Sequence, residues 1–443
     1  MNIFSTFLMR KRFAINKVVG FIVVLLFFLI IYELNYSRNT TGLYKINSKE
    51  ISLNKDYFEG VGLHKEIVNY FYNKRQAWKT SNVGSILFKD VSNKVFIQQS
   101  NVNRTFTILI WKYGTWLQNR HLYSFGSSRE DVSLKGCSVK NCIFTNTEEY
   151  LESADAVVVH LQHGELPNTT KRKSYQRWIF LSDESPKNTF SLSKQKVDLR
   201  DLANVFNWSM TYRSESDVPV PYGRTVPKTK FLQETAAKPI IDLVPFWNKK
   251  RQDVLATVLM SNCAVSQRMA YLKELKKHLT VDILGQCSDN DKNRCPGHFR
   301  SDCPIVSEYL FYLALENSKC REYLTEKVFY NAYYKGAIPI ISGPKQEDCE
   351  KILPPNSFLH VDNYATTEEL AMEIISLSKD IPRLLKFHEW RRHFEVINEH
   401  GYFGSQSRQY CRICEALNYN DDKFKTYDEE TLRKFLDSSL LCT

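Results

Sequence analysis

The chain of 443 residues has no internal repeat of about 20–50 residues and no low-complexity tract, which excludes solenoid and array architectures. It has no basic arm beyond its extreme N-terminus. The 60 Lys and Arg against 49 Asp and Glu give a net charge of +11, but they are scattered along the chain. That distribution describes a basic soluble surface, or an enzyme whose substrate carries phosphate, and argues against nucleic acid as a partner. Cysteine is missing before Asn101, and all eleven cysteines follow it. Long hydrophobic runs are missing too, with one exception near the N-terminus. What remains, 43% hydrophobic and 13% aromatic residues, is ample for folded cores and excludes a disordered chain.

The exception is Val18 to Tyr32, uncharged and apolar, preceded by Arg10, Lys11, Arg12 and Lys17 and followed by Glu33. Fifteen residues of helix span roughly 22 Å, short of a ~30 Å hydrocarbon core, though flanking residues and a thin secretory-pathway bilayer close the gap. No small-x-small site follows the run, so an uncleaved signal-anchor is favoured over a cleaved signal peptide. The basic flank precedes the span, which predicts a short cytosolic tail and a lumenal remainder. Asn-x-Ser/Thr sequons at Asn35, Asn39, Asn103, Asn168 and Asn207 are candidate glycosylation sites in such a compartment. Cysteines confined to the later part of the chain suit an oxidising lumen; their number is odd, so at least one thiol is free or pairs between chains, and the connectivity does not follow from the sequence.

The expected organisation is a tail (1–17), a transmembrane anchor (18–32), a polar stem (33–100), a first α/β domain (101–218), a proline-rich linker (219–247), a second α/β domain (248–400) and a C-terminal cysteine-containing segment (401–443). Strand patterns fall at Thr105 to Trp111, Cys142 to Thr145, Ala156 to His160, Arg177 to Ser182 and Val205 to Tyr212, then at Val254 to Met260, Val281 to Gly285, Tyr309 to Leu315, Ala337 to Ile341 and Phe358 to Val361. These strands are too apolar for a sheet with one wet face, so parallel sheets covered by helices on both sides are expected. Helices are expected over Thr367 to Ser378 and Pro382 to Val396. Five prolines between Asp217 and Trp247 mark an irregular connection.

The densest charge lies in Leu313 to Pro344, read as strand, loop, helix and strand. A helix starting near Tyr323 would put Tyr323, Glu326 and Lys327 on one face, in the turn whose N–H groups favour an anion. From spacing alone, a nucleotide-sugar site and an ordinary exposed Glu–Lys pair are both open.

The stretch FYLALENSKCREYLTEKVFYNAYYKGAIPIISGP resembles the donor-binding signature of the α1,3/α1,4-fucosyltransferases, inverting enzymes that use GDP-fucose. FTILIWKYG, RWIFLSDESPKNT, NWSMTYRSESDVPVPYG and the closing CRIC resemble further blocks of that family, so the similarity covers Thr105 to Cys414. The resemblance implies two Rossmann-like domains facing a cleft (GT-B type), a single-pass type II protein of the Golgi membrane, and transfer of L-fucose from GDP-fucose to a GlcNAc hydroxyl of a glycan or glycoprotein, in α1,3 linkage with inversion. It assigns donor contacts to Arg268, Asn317, Tyr323, Glu326 and Lys327, and the general base to Glu184. Asn188 stands where vertebrate members often have His, so no histidine acts there. Glu165 and Asp183 are alternative bases, and His160, His163 and Glu165 are candidate contacts in the acceptor domain. No metal ligands are assigned. Asp289-Asn290-Asp291 matches the metal–diphosphate triplet of a different glycosyltransferase fold but reads as a solvated turn. Cys411-x-x-Cys414 has no second ligand pair to complete a zinc site, so it reads as a structural disulfide. Divalent cations could stimulate the reaction only through a site that the sequence does not identify. Rival readings are a transferase for another GDP-sugar and an inactive membrane-anchored lectin.

Overall fold

The computed structural model describes residues 60–75, 78, 80–88, 104–112, 117, 121, 134–169, 171–228, 238–288, 290, 293, 295–297, 301–421 and 423–443. The expected tail and anchor, the sequons at Asn35, Asn39 and Asn103, and Asp289 and Asp291 lie outside the described residues. Among the described residues no helix is long and apolar enough to cross a membrane.

Among the described residues two helices precede the first sheet, α1 (Gly60–Lys74) and α2 (Asn82–Phe88). Both fall in the expected stem, yet both are built into the core. Phe71 meets the ring of Phe394 edge-on, and the buried Arg75 guanidinium donates to the carbonyls of Thr225 and Ile352.

Strands β1 (Phe106–Trp111), β2 (Cys142–Thr145), β3 (Ala156–His160), β4 (Arg177–Ser182), β5 (Trp208–Thr211) and β6 (Val218–Pro219) form one parallel sheet in the order 2-1-3-4-5-6. β3 and β4 are buried at every position, as their unbroken apolar runs require. Pro219 lies in the edge strand β6, where a missing N–H costs no ladder bond. The expected linker thus begins with the last strand of this sheet. It continues as β7 (Gly223–Pro227).

The second sheet is also parallel, with strands β8 (Ala256–Leu259), β9 (Val281–Leu284), β10 (Phe311–Leu315), β11 (Ile338–Ser342) and β12 (Leu359–His360) in the order 9-8-10-11-12. Helix α3 (Ser266–Leu275) joins β8 to β9, and a π-helix (Lys327–Tyr334) joins β10 to β11. Further on, α4 (Gln346–Ile352), α5 (Thr367–Lys379) and α6 (Ile381–Lys386) follow. The expected helix reaching Val396 ends earlier. Phe394–Asn398 is instead a strand, β13, antiparallel to β7. β-branched Val396 and Ile397 favour that pairing over a helix.

The chain then returns to the first sheet. Helix α7 (Gln409–Tyr419) packs Tyr410, Ile413, Ala416 and Tyr419 against the face that carries Ile108, Val158 and Ile179, and α8 (Glu429–Leu436) packs Leu432 and Leu436 against the opposite face. Each large apolar side chain so buried contributes about 1.5–3 kcal/mol. The CRIC cysteines do not pair with each other. Cys411 bridges to Cys137 and Cys414 to Cys142, which ties α7 to the first sheet. Cys263–Cys287, Cys295–Cys303 and Cys320–Cys442 complete five disulfides, leaving the buried Cys349 as the odd thiol.

Candidate active site

Both sheets share one winding: the second strand lies outside the first, and the rest run the other way. In such sheets ligands bind beyond the carboxyl ends of the strands at the reversal, here between β8 and β10. A pocket lies at that point, lined by Met260, Ser261 and Asn262 after β8, by Arg268 of α3, and by Asn317 after β10. Tyr323, Thr325, Glu326, Lys327 and Asn331 line it from the loop and π-helix that follow. Glu184, two residues beyond β4, and Tyr222, just before β7, line it from the first sheet's side, and Tyr402 and Phe403 close it.

At the end of β10 the Glu316 side chain is fully buried, with one oxygen 3.1 Å from the Lys327 ammonium. The other accepts from the Thr325 N–H (2.9 Å) and hydroxyl (2.8 Å). Gly343 makes room for it, since a Cβ there would stand 2.9 Å from the Glu316 Cγ. Lys327 also donates to Glu326 (3.1 Å) and to Thr325 Oγ1 (2.9 Å). Burial alone would lower the lysine pKa, but Glu316 and Glu326 together raise it above its ordinary value, so it stays charged. Burial pushes the Glu316 carboxyl up, against the pull of Lys327. Arg268, 8% exposed, spends its two terminal nitrogens on the carbonyls of Leu315 (3.3 Å) and Asn262 (2.6 Å). Its Nε and the Oδ1 of Asn317 are buried polar atoms without a hydrogen-bond partner among the described residues, the groups that a polar ligand would satisfy.

Glu184 enters from the end of β4. One of its carboxylate oxygens accepts from the Tyr323 hydroxyl at 3.0 Å, across 139 residues of sequence. Burial, then the nearby Glu184, keeps Tyr323 protonated and so a donor. The loop carrying Tyr323 is held by three further links, two to the loops at the first sheet's strand ends and one to the C-terminal segment. Glu322, at a left-handed φ of 58°, accepts from the Ser214 N–H (2.7 Å) and hydroxyl (2.8 Å). Ser185 donates to Ser318 (2.8 Å), and Cys320 bridges to Cys442. A carboxylate, fixed cations and buried hydrogen-bonding groups thus share one pocket, an arrangement suited to transfer from a phosphate-bearing donor to a hydroxyl.

Residues 247–432 match the model of the glycosyltransferase family 10 (fucosyltransferase) C-terminal domain, and 103–223 match that of the fucosyltransferase N-terminal domain. The chain is 32% identical over 321 residues to alpha-(1,3)-fucosyltransferase 7 of Rattus norvegicus, an alignment covering 71% of this chain and 76% of that one. The chain belongs to the fucosyltransferase family. It is also 31% identical over 331 residues to a 4-galactosyl-N-acetylglucosaminide 3-alpha-L-fucosyltransferase of Pan troglodytes, covering 72% of this chain and 80% of that one. A crystal structure of an alpha1,3-fucosyltransferase with GDP-fucose matches with a TM-score of 0.44 at 15% identity, covering 74% of this chain and 97% of the other.

Against the sequence expectations, this fucosyltransferase brings Glu184, Arg268, Asn317, Tyr323, Glu326 and Lys327 into one pocket. The helix expected from Tyr323 starts later, however. Tyr323 lies in the preceding loop, and the helix is π-wound, so the shared helical face is not what gathers these residues. The i→i+5 bonding puts Glu326 and Asn331, five apart, on the pocket side. His160, His163 and Glu165 do not line the pocket. His160 is buried against Asp183 (3.5 Å), and Glu165 pairs with Lys112 (3.7 Å) at the surface. His163 lies beside His160, its pKa lowered by burial and then by that neighbour. Asn168 is exposed, whereas Asn207 is 1% exposed and its amide donates to the Lys425 carbonyl, so the folded chain does not present that sequon. Among the described residues no group of three or more His, Cys, Asp or Glu is placed to hold a metal ion.

Sequence reasoning missed Tyr222, Glu316, Thr325, Asn331, Tyr402 and Phe403. Tyr222, Glu316, Thr325 and Asn331 stand inside family-like stretches, a usable signal. Nothing in the spacing marks Tyr402 or Phe403.

Proposed function

We propose that the pocket binds GDP-fucose and that Glu184 is the general base for its transfer to a glycan hydroxyl. Arg268, through its Nε, binds the donor diphosphate, and the cationic end of the π-helix at Lys327 stabilises that diphosphate as it leaves. Asn317 and Glu326 accept from sugar hydroxyls. The acceptor hydroxyl, whose own pKa lies far above 7, loses its proton to Glu184 while attacking the anomeric carbon, and the C–O bond to GDP breaks on the opposite face. The product is an α-L-fucoside with inverted configuration. The names of the curated relatives support an α1,3 linkage to GlcNAc.

In this reading the first sheet carries the acceptor and the second the donor, the two-domain GT-B plan. Residues 18–32 anchor the chain as a single-pass type II protein of the Golgi membrane. The five disulfides support an oxidising lumen for the folded part, and the exposed Asn168 is the described sequon open to glycosylation.

The observation that carries the reading is the joining of Glu184 to the donor-side cluster through Tyr323 in one pocket. The test is Glu184→Gln, assayed for GDP affinity and for transfer to a glycan panel. The expected result is retained GDP binding with kcat lowered between about 10²- and 10⁴-fold. Near-normal transfer overturns the assignment.

A further inference from the structure

Behind Glu184 stands a second carboxylate that the proposed chemistry does not use. Asp183 is 1% exposed. One of its oxygens faces Nε2 of His160 at 3.5 Å, from the end of β3. The other faces Nε2 of His400 at 3.4 Å and the Gln409 amide at 3.3 Å, both from the segment that returns to the first sheet. The Gln409 amide also lies 3.3 Å from His400 Nδ1, so that nitrogen accepts and Nε2 carries the hydrogen toward Asp183. The backbone carbonyl of Asp183 is held as well, accepting from the Tyr222 hydroxyl at 3.0 Å. The Tyr222 ring stacks on His400, centroids 3.7 Å apart and 19° from parallel, and meets the Tyr323 ring edge-on at 6.2 Å.

These contacts close a circuit. Tyr323 holds the Glu184 carboxylate, Tyr222 packs on Tyr323, His400 packs on Tyr222, and His400 reaches Asp183, the residue before Glu184. The peptide plane that begins with the Asp183 carbonyl includes the Glu184 nitrogen and leads to its Cα. Pinning Asp183 by side chain and carbonyl therefore aims the Glu184 side chain. A carboxylate buried at a strand end costs stability that an apolar residue would not, so its presence needs a return of another kind.

We propose that Asp183, clasped by His160, His400 and Gln409, is the positioning residue for the base. The inference rests on the reading of Glu184 as that base. Misplacing a reacting group by about 1 Å can cost about 10² in rate while leaving donor binding intact.

The test is Asp183→Ala and Asp183→Asn in the full chain, with kcat, the KM for GDP-fucose and GDP affinity measured alongside thermal stability. Asp183→Ala is expected to lower kcat about 10–100-fold with the donor KM and GDP affinity within about twofold of wild type. Asp183→Asn, which keeps an accepting oxygen toward His400, recovers part of that loss. A kcat within twofold of wild type in Asp183→Ala, or a loss expressed only as a raised donor KM, overturns the proposal. Should Asp183→Ala not fold, Tyr222→Phe decides, since it deletes only the hydroxyl that pins the Asp183 carbonyl. It is expected to lower kcat about 3–10-fold at unchanged donor KM, and a wild-type kcat overturns the proposal. Glu184→Gln in parallel separates the two claims. Near-normal transfer in that variant sinks the base assignment and the positioning role with it. Its inactivity beside a fully active Asp183→Ala or Tyr222→Phe sinks the positioning role alone.

Discussion

The carboxyl ends of β4 and β10 each bury an acidic group, and they hold it in opposite ways. At β10 the acid, Glu316, has an ammonium 3.1 Å away, with Glu326 on the same lysine. At β4, Asp183 is met by two imidazoles and an amide, while Glu184 takes a phenol hydroxyl. Burial raises the Glu316 carboxyl and the ammonium beside it works against that rise, whereas the imidazoles, amide and phenol at the β4 end hold their carboxylates by directional contacts that orient them. The contrast matches the two proposed tasks. The donor end must present permanent charge to a diphosphate, and the base end must hold a carboxylate still and leave it able to take a proton.

The largest effect expected from breaking this contrast is on stability at the β10 end. Lys327→Met leaves Glu316 buried with Thr325 but without its counter-charge. It should destabilise the fold by about 3–5 kcal/mol, read in denaturant melts, and Glu316→Gln in that background should restore part of the loss. A cost below about 1 kcal/mol would mean that the lysine is not what balances Glu316.

Next in size is Arg268→Lys. The guanidinium fork reaches the carbonyls of Leu315 and Asn262 at once, which a lysine does not reproduce. The KM for GDP-fucose should rise about 10–100-fold, with kcat changed less than about threefold. A fall in kcat at constant KM would move Arg268 from donor binding to the reacting centre.

The pH dependence of the lysine cluster is smaller. The folded chain keeps the Lys327 proton to higher pH than the unfolded chain does. Its contribution is therefore complete below the ordinary lysine value and is lost as pH rises through the folded one. The stability gap between wild type and Lys327→Met should stay flat from about pH 7 to 10 and shrink above that. A gap that opens or closes between pH 7 and 9 would show that another group controls the cluster.

The smallest effect concerns Glu165, whose pair with Lys112 leaves its side chain 41% exposed. Such surface pairs contribute about 0–1 kcal/mol. Glu165→Gln should leave kcat within about twofold of wild type; a loss above tenfold would make Glu165 the base and redraw the comparison.

Much of this site was legible in the chain, because the strands of a sheet covered on both faces must be nearly unbroken apolar runs. The polar residues that end those runs therefore fall at the sheet's carboxyl edge. That reasoning reaches Glu184 after RWIFLS and Asn317 after FYLAL. It does not reach Tyr222, Tyr402 or Phe403, which lie in no periodic element and join the pocket through β7 and the segment after β13. It also mistook the winding after β10. KVFYNAYY satisfies an α pattern, and its i→i+5 bonding depends on how the helix seats between β10, β11 and β13.

By itself the sequence determined two parallel α/β sheets, the strand ends that carry chemistry, and a cysteine count that leaves at least one thiol over. Local hydrophobic pattern is enough for these, since each follows from which residues must leave water. The tertiary structure alone decided that α1 and α2 of the expected stem belong to the core, that Cys411 and Cys414 reach back to Cys137 and Cys142, and that Asn207 is shut away from solvent. It alone brought Tyr323 to Glu184 and His400 to Asp183. The reason is the same in each case. A buried charge, thiol or amide takes whichever partner the packing sets beside it, and here those partners are more than a hundred residues away, beyond the reach of any local pattern.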